Sequence, residues 1–167
     1  MRIISGKYKN RELRSPHSLA THPMGERERL AIFNMLGPLE DKTVLDLFAG
    51  TGALGIEALS RGAKTATFVE YNSKTFTVLK DNLKEIDGAT ALKQDAYKYL
   101  PDECFDVIFI DPPYDSFDER ILDYRKFLAK DGVIAVSSPK PINPDSRKYA
   151  NCFITLLRNT WQEGYWP

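Results

Sequence analysis

Cysteine is scarce in this chain of 167 residues. Cys104 and Cys152 are too few and too far apart to suggest a disulfide framework or a zinc site, so no metal is expected. Long hydrophobic runs are missing too. None approaches the roughly 18 apolar residues of a membrane span, and no membrane partner is expected. The first residues do not read as a secretory leader, because Arg2 and the stretch from Lys7 to Arg14 alternate cations with polar residues. A cytoplasmic location is expected. There are no internal repeats or low-complexity tracts. What remains, 43% apolar and 28% charged residues, is an ordinary globular composition with enough length for one domain and a proper core.

Net charge is also absent, with 23 basic residues against 23 acidic ones. The balance is uneven, however. Residues 1–16 hold Arg2, Lys7, Lys9, Arg11 and Arg14 against Glu12 alone, a local +4 that leaves the remainder at −4. Arg2 to Ser5 and Glu12 to Arg14 flank Gly6-Lys7-Tyr8-Lys9-Asn10, the pattern of a short β-hairpin. These five cations are candidate contacts to an anionic partner. A solvated surface hairpin is the alternative. Pro16 to Pro23 reads as a linker, dividing an extension over 1–22 from a main domain over 23–167.

A helix is expected from Glu26 to Leu36, with Leu30, Phe33 and Leu36 on one face and Gly37-Pro38 as its stop. From Thr43 onward, apolar runs at 44–48, 65–69, 89–92, 106–110 and 133–136 alternate with helical stretches near 53–61, 73–86 and 118–129. Ser73 is the expected N-cap of the second of these helices. Nearly continuous apolar strands between helices indicate an α/β fold, a mainly parallel twisted sheet covered on both faces. The last strand, 152–157, follows a connection too short for a crossover helix and should pair antiparallel at or near one edge.

The first of these strands runs into Asp46-Leu47-Phe48-Ala49-Gly50-Thr51-Gly52-Ala53-Leu54-Gly55. The three glycines fit a dinucleotide fingerprint, and Glu70 follows at the distance suited to a ribose hydroxyl. The glycine pattern alone fits a nicotinamide dinucleotide or another adenosine cofactor. Asp46 discriminates. A pyrophosphate beside it would suffer a like-charge penalty on the order of 4 kcal/mol at 4 Å and an effective dielectric near 20. S-adenosylmethionine carries an ammonium and a sulfonium, which reverse the sign. Candidate cofactor contacts are therefore Asp46, Phe48, Gly50, Thr51, Gly52, Glu70 and Tyr71, with Asp95 and Ala96 near an adenine amine.

The run Val107-Ile108-Phe109-Ile110 ends in Asp111-Pro112-Pro113-Tyr114. Two prolines make a stiff turn without N–H donors. A carboxylate, bare carbonyls and an aromatic ring suit a planar hydrogen-bond donor such as the exocyclic amine of a nucleobase. An ordinary Asp-Pro turn is the bland alternative.

The glycine loop with Asp111-Pro112-Pro113-Tyr114 resembles the class I S-adenosylmethionine methyltransferases that act on exocyclic amines. Met1 to Tyr8, Glu28-Arg29 with Ile32-Phe33-Asn34-Met35-Leu36, and Gly55 to Ala63 look like the RsmD family. That resemblance spans nearly the whole chain, including Arg147-Lys148-Tyr149. It implies a Rossmann-like class I methyltransferase fold and methyl transfer from S-adenosylmethionine to the N2 amine of a guanine in small-subunit ribosomal RNA. Asp111 and the Pro112 carbonyl would receive the amine, and Tyr114 would stack on a base flipped out of its helix. The partner would be ribosomal RNA or an assembling small subunit, and the enzyme a monomer. The family's Arg-Pro-Thr is His22-Pro23-Met24 here, Ala150 replaces a glycine, and the tail from Trp161 to Pro167 is unfamiliar. Competing readings are an amine methyltransferase for DNA adenine or protein glutamine, a NAD-dependent oxidoreductase, and a non-catalytic RNA-binding module.

Overall fold

A computed structural model describes residues 1–15 and 24–159 of the chain. The linker from Pro16 to Pro23, the boundary at 22/23, His22 and the tail from Trp161 lie outside the described residues. Helix α1 spans Glu26–Leu36 as expected. Glu26 and Glu28 complement the helix dipole in its first turn, and Gly37, at φ 79°, returns its N–H to Phe33. There follow β1 (Thr43–Leu47), α2 (Ala53–Ser60), β2 (Thr65–Val69), α3 (Ser73–Asn82), β3 (Ala89–Leu92), β4 (Phe105–Ile110), β5 (Leu128–Ser138), β6 (Arg147–Tyr149) and β7 (Cys152–Arg158).

The sheet runs β3-β2-β1-β4-β5-β7-β6. Strands β1 to β5 are parallel, while β7 pairs antiparallel with both β5 and β6. Side chains alternate between two cores. Val44, Val107 and Phe109 face Ile32, Phe33, Ile56 and Leu79 of the three α-helices. Leu45, Leu47, Ile108 and Ile110 face Ile121 and Tyr124. Burial on both sides explains why these strands read as unbroken apolar runs.

Four local expectations need correction. The cap of α3 is Asn72, whose side-chain oxygen accepts from the N–H groups of Lys74 and Thr75. The same helix stops at Asn82, because Glu85 at φ 63° and Gly88 at φ 75° turn the chain toward β3. Residues Glu119–Phe127 form a 3₁₀ helix rather than an α-helix. Ile121, Tyr124 and Phe127 recur every three residues, the 3₁₀ period, and the Tyr124 hydroxyl is drawn onto the carbonyls of Ala96 and Tyr99. Strand β5 starts at Leu128, with a register shift that separates the Phe105–Leu128 pair from the Val107–Val133 pair. Strand β6 was not anticipated; it pairs Tyr149 with Cys152 and occupies the edge outside β7.

The N-terminal hairpin is held by one antiparallel bridge, Arg2 to Glu12, and it packs onto the body. Ile3 and Leu13 enter the helix-side core. Buried Glu57 on α2 accepts from the N–H groups of Ile4 (2.6 Å) and Ser5 (3.0 Å) and from Arg61 Nε (2.7 Å). Ser60 Oγ accepts from the Tyr8 N–H at 2.8 Å, and its carbonyl accepts from Lys7 at 2.8 Å. Arg29 of α1, fully buried, donates to the Arg2 carbonyl at 2.8 Å.

This close approach requires glycine at position 6. Its φ is 83°, and an added Cβ would stand 1.7 Å from the Ser60 carbonyl oxygen. Gly6→Ala is therefore expected to cost about 2 kcal/mol or more through strain and displacement. That corresponds to a melting temperature lower by roughly 4–8 °C for a chain of this size. Unchanged melting would show that the hairpin does not pack here.

Candidate active site

The chain leaves β1, builds β2 and β3 on one side, then crosses back to place β4 on the other side of β1. Where such an order reverses, the loops leaving the strand ends separate and open a crevice. The register sets Leu47 beside both Val69 and Ile110, and Val69 beside Leu92. The glycine loop, Glu70, Asp95 and Asp111 therefore emerge from the same edge. These are the positions singled out in the sequence.

The loop is tightly built. Phe48 adopts φ 60°, a left-handed conformation that is strained for an aromatic residue, and Gly50 and Gly52 follow at φ 57° and 84°. Gly52 precedes the first residue of α2. Gly55 lets the helix lie against β2, since a Cβ there would meet the Phe68 ring at 2.3 Å. Glu70 ties two loops together. One oxygen accepts from the Gly50 N–H at 3.0 Å and the other from the Asn72 N–H at 2.7 Å.

Asp46 lies within β1, only 1% exposed, and accepts one hydrogen bond from the Gly55 N–H at 2.9 Å. Its second oxygen has no hydrogen bond among the described residues. Burial, reinforced by the charges of Asp111 and Glu70 against the Gly55 bond, pushes its pKa up to about 8. Three carboxylates thus converge at the crevice. Such a carboxylate ionises readily only beside a cation, so the crevice disfavours a pyrophosphate and the residues present suit S-adenosylmethionine.

Asp111 follows β4, and β5 brings buried Ser137 beside it, one step beyond the Ile110–Val136 pair. Burial raises the Asp111 pKa to about 6, opposed by a hydrogen bond from Ser137. The Ser137 hydroxyl also lies 2.6 Å from the Tyr114 hydroxyl. Burial, with smaller contributions from Cys152 and Asp111, keeps that phenol well above its ordinary pKa. Pro112 is buried and Pro113 exposed. The tyrosine is thus tethered inward at its hydroxyl, which fixes the ring's orientation beside Asp111.

The remaining candidates are more dispersed. Asp95 accepts from its own turn's Tyr97 N–H at 3.0 Å, and Lys98 stands 3.8 Å away. Ala96 is buried, Tyr71 is 74% exposed, and Phe48 packs edge-on against Tyr97 at 5.3 Å. On the hairpin, Lys7 pairs with Asp87, Arg14 with Asp81 and Arg2 with Glu26. Arg11 donates to the carbonyls of Asn82 and Lys84. The Lys9 ammonium has no partner among the described residues. Sequence reasoning missed Ser137, although a polar pair ending an apolar strand is a readable signal. It also missed Asn82 and Glu57, whose partners are distant in sequence.

Residues 1–154 match the family described as Conserved hypothetical protein 95. Ribosomal RNA small subunit methyltransferase D of Escherichia coli is 35% identical over 147 residues, covering 83% of this chain and 74% of that one. YlbH of Bacillus subtilis, named as a candidate rRNA methyltransferase, is 36% identical over 155 residues, 85% of this chain and 84% of its own. The solved structure of the Escherichia coli protein yhhF, described as a candidate methyltransferase, superposes with a TM-score of 0.82 at 29% identity, covering 95% of this chain and 97% of that one.

The raised pKa of Asp46 makes a prediction about the free protein. An unfolded aspartate ionises near pH 4, whereas folded Asp46 holds its proton to about pH 8. Stability should fall as pH climbs through that window, and Asp111 adds to the loss between pH 4 and 6. Asp46→Asn removes the first contribution. Relative to wild type, it should gain on the order of 2 kcal/mol between pH 6 and 8, read as the difference in denaturation midpoints. A pH-independent difference would contradict this.

Proposed function

The chain belongs to the RsmD family, and we propose that it transfers a methyl group from S-adenosylmethionine to the N2 amine of a guanine in small-subunit ribosomal RNA. The observation that carries this reading is the placement of Asp46, near the end of β1, and Asp111, just past the end of adjacent β4, close enough that the charge of Asp111 raises the pKa of Asp46. One end holds a cation and the other receives an amine.

When bound, S-adenosylmethionine supplies an electrophilic methyl group. Asp46, with its free oxygen, would hold its charged end, and Glu70, fixed by the Gly50 and Asn72 N–H groups, would accept from its ribose hydroxyls. The glycine loop leaves backbone space beside α2 for the rest. Ionisation of Asp46 accompanies binding, so cofactor affinity should weaken as pH falls below about 8.

A guanine amine is a poor nucleophile because its lone pair is delocalised into the ring. Asp111 and the Pro112 carbonyl accept its two N–H groups, which favours a pyramidal nitrogen and stabilises the charge that develops there. Asp111, at about pKa 6, is mostly ionised at neutral pH and can take the proton that the methylated amine releases. Tyr114, fixed through Ser137, offers its ring to the base. Pro112 and Pro113 keep competing donors out of the turn. A nicotinamide dinucleotide is disfavoured by the converging carboxylates.

The hairpin supplies the attraction for RNA. Its ion pairs with Asp81, Asp87 and Glu26 lie at the surface, where water and salt screen them and they contribute little. Phosphates can replace those partners. Lys7→Ala with Lys9→Ala should weaken RNA binding and reduce its salt slope by about one to two, since each phosphate contact releases counterions. Arg11 anchors the hairpin to the end of α3, so Arg11→Ala should also lower stability. A salt slope that stays the same without Lys7 and Lys9 would reduce the hairpin to a structural element.

Asp111→Ala is the decisive variant. Methyl transfer to ribosomal RNA should fall by about 10²–10³ or more, with calorimetric affinity for S-adenosylmethionine little changed. Asp111→Asn keeps an acceptor oxygen and should retain measurable activity if orientation dominates. Wild-type activity should decline as pH falls through about 6, where Asp111 gains its proton. Undiminished turnover by Asp111→Ala would remove this turn from the reaction.

A further inference from the structure

Asn82, the last residue of α3, is 4% exposed. Its side chain nevertheless makes three hydrogen bonds. The oxygen accepts from the Arg14 N–H at 2.9 Å, and the nitrogen donates to the Arg14 carbonyl at 3.0 Å and to the Thr51 carbonyl at 2.9 Å. Both backbone groups of Arg14 are therefore held as a neighbouring strand would hold them. The remaining N–H reaches the middle of the glycine loop. A second contact joins the same two segments, from Thr51 Oγ1 to Met1 Sδ at 3.8 Å.

We propose that Asn82 is a positioning residue that couples the cofactor loop to the basic hairpin, so that filling the one strengthens RNA capture by the other. The inference rests on the cofactor and RNA assignments above. Thr51 lies between two glycines in left-handed conformations, a segment that a ligand would hold more rigidly than solvent does. Fixing the direction of the Thr51 carbonyl fixes its Asn82 partner, and with it both backbone groups of Arg14. Ordering one end lowers the entropy that the other must lose on binding. Coupling of this kind is reciprocal: RNA on the hairpin must tighten cofactor binding by the same factor. The amide is fully used and buried, so either displaced partner would leave a polar group unsatisfied. That gives the link its stiffness.

The test is amide exchange at Leu13 and Arg14 in the full chain, with and without S-adenosylmethionine, beside calorimetry of the same samples. In wild type the cofactor should slow exchange at Arg14 about fivefold or more, the lower end of ordinary allosteric coupling. Asn82→Asp is isosteric and keeps the acceptor for the Arg14 N–H, but loses both donors. It should bind cofactor with no added protection of Arg14. A merely structural Asn82 would instead speed exchange in the variant while preserving its response to cofactor, and that result would overturn the inference. So would wild-type exchange indifferent to bound cofactor, a measurement that needs no variant to fold. Failure of S-adenosylmethionine to bind at all would overturn the cofactor assignment as well, which calorimetry reads separately.

Discussion

Asp46 is a carboxylate buried on β1, inside the sheet, with a single backbone N–H to hold it. Burial of an unpaired charge is among the more costly arrangements in a protein interior. The protein lessens that cost by keeping the proton, and two further carboxylates nearby make ionisation harder still. Such a site is poorly satisfied in isolation and becomes well satisfied when a cation arrives. The Gly55 bond to the same carboxylate fixes α2 against β1, so the start of the helix and the electrostatics of the crevice share one side chain. Phe48 shows the same pattern in the backbone, strained where the loop must reverse.

The hairpin answers a different demand. A basic arm needs cations free enough to meet phosphate, yet a hairpin with one ladder bridge cannot hold itself together in water. Its stability comes from beneath. Ile3 and Leu13 join the main core, and Glu57 and Ser60 receive its backbone N–H groups. Arg29 supplies a buried counter-charge near Glu57. Because the anchoring uses backbone and buried side chains, Lys7, Lys9 and Arg14 remain at the surface with only weak surface partners or none.

The parallel sheet, α1, β2, β3 and the positions of both candidate-site loops were legible in the sequence. Each is encoded locally: continuous apolar runs, a Gly37-Pro38 stop, glycines at fixed spacing, a carboxylate before two prolines. What was not legible depends on distant partners. The shortened α3 reflects a turn imposed by the start of β3, and Asn82 acquires its purpose only when Arg14 and Thr51 fold onto it. The 3₁₀ helix carried a signal, the three-residue spacing of Ile121, Tyr124 and Phe127, which overlaps the helical i,i+3 pattern and so reads as α. Ser137 also carried a signal, a polar pair ending an apolar strand, but its place beside Asp111 follows only from the register of β4 with β5. For the candidate cofactor residues, the sequence indicated the edge, while the structure distinguishes Asp46, bonded to the start of α2, and Glu70, bonded to the glycine loop, from Asp95, engaged with its own turn.

A neutral protein that handles a polyanion must use the distribution of charge rather than its sum. Here the first 16 residues carry +4 and the rest −4, so the excess of basic groups gathers on the arm rather than across the chain. On the proposed assignment, RNA would be attracted at the hairpin and repelled at the acidic crevice. The carboxylates that recruit a cation and accept an amine would, by themselves, turn the phosphate backbone away. Only a base extended from that backbone can enter, because its amine donates where its phosphates cannot. Attraction at the hairpin and exclusion at the crevice would then act in series and favour a flipped nucleotide over a continuous helix.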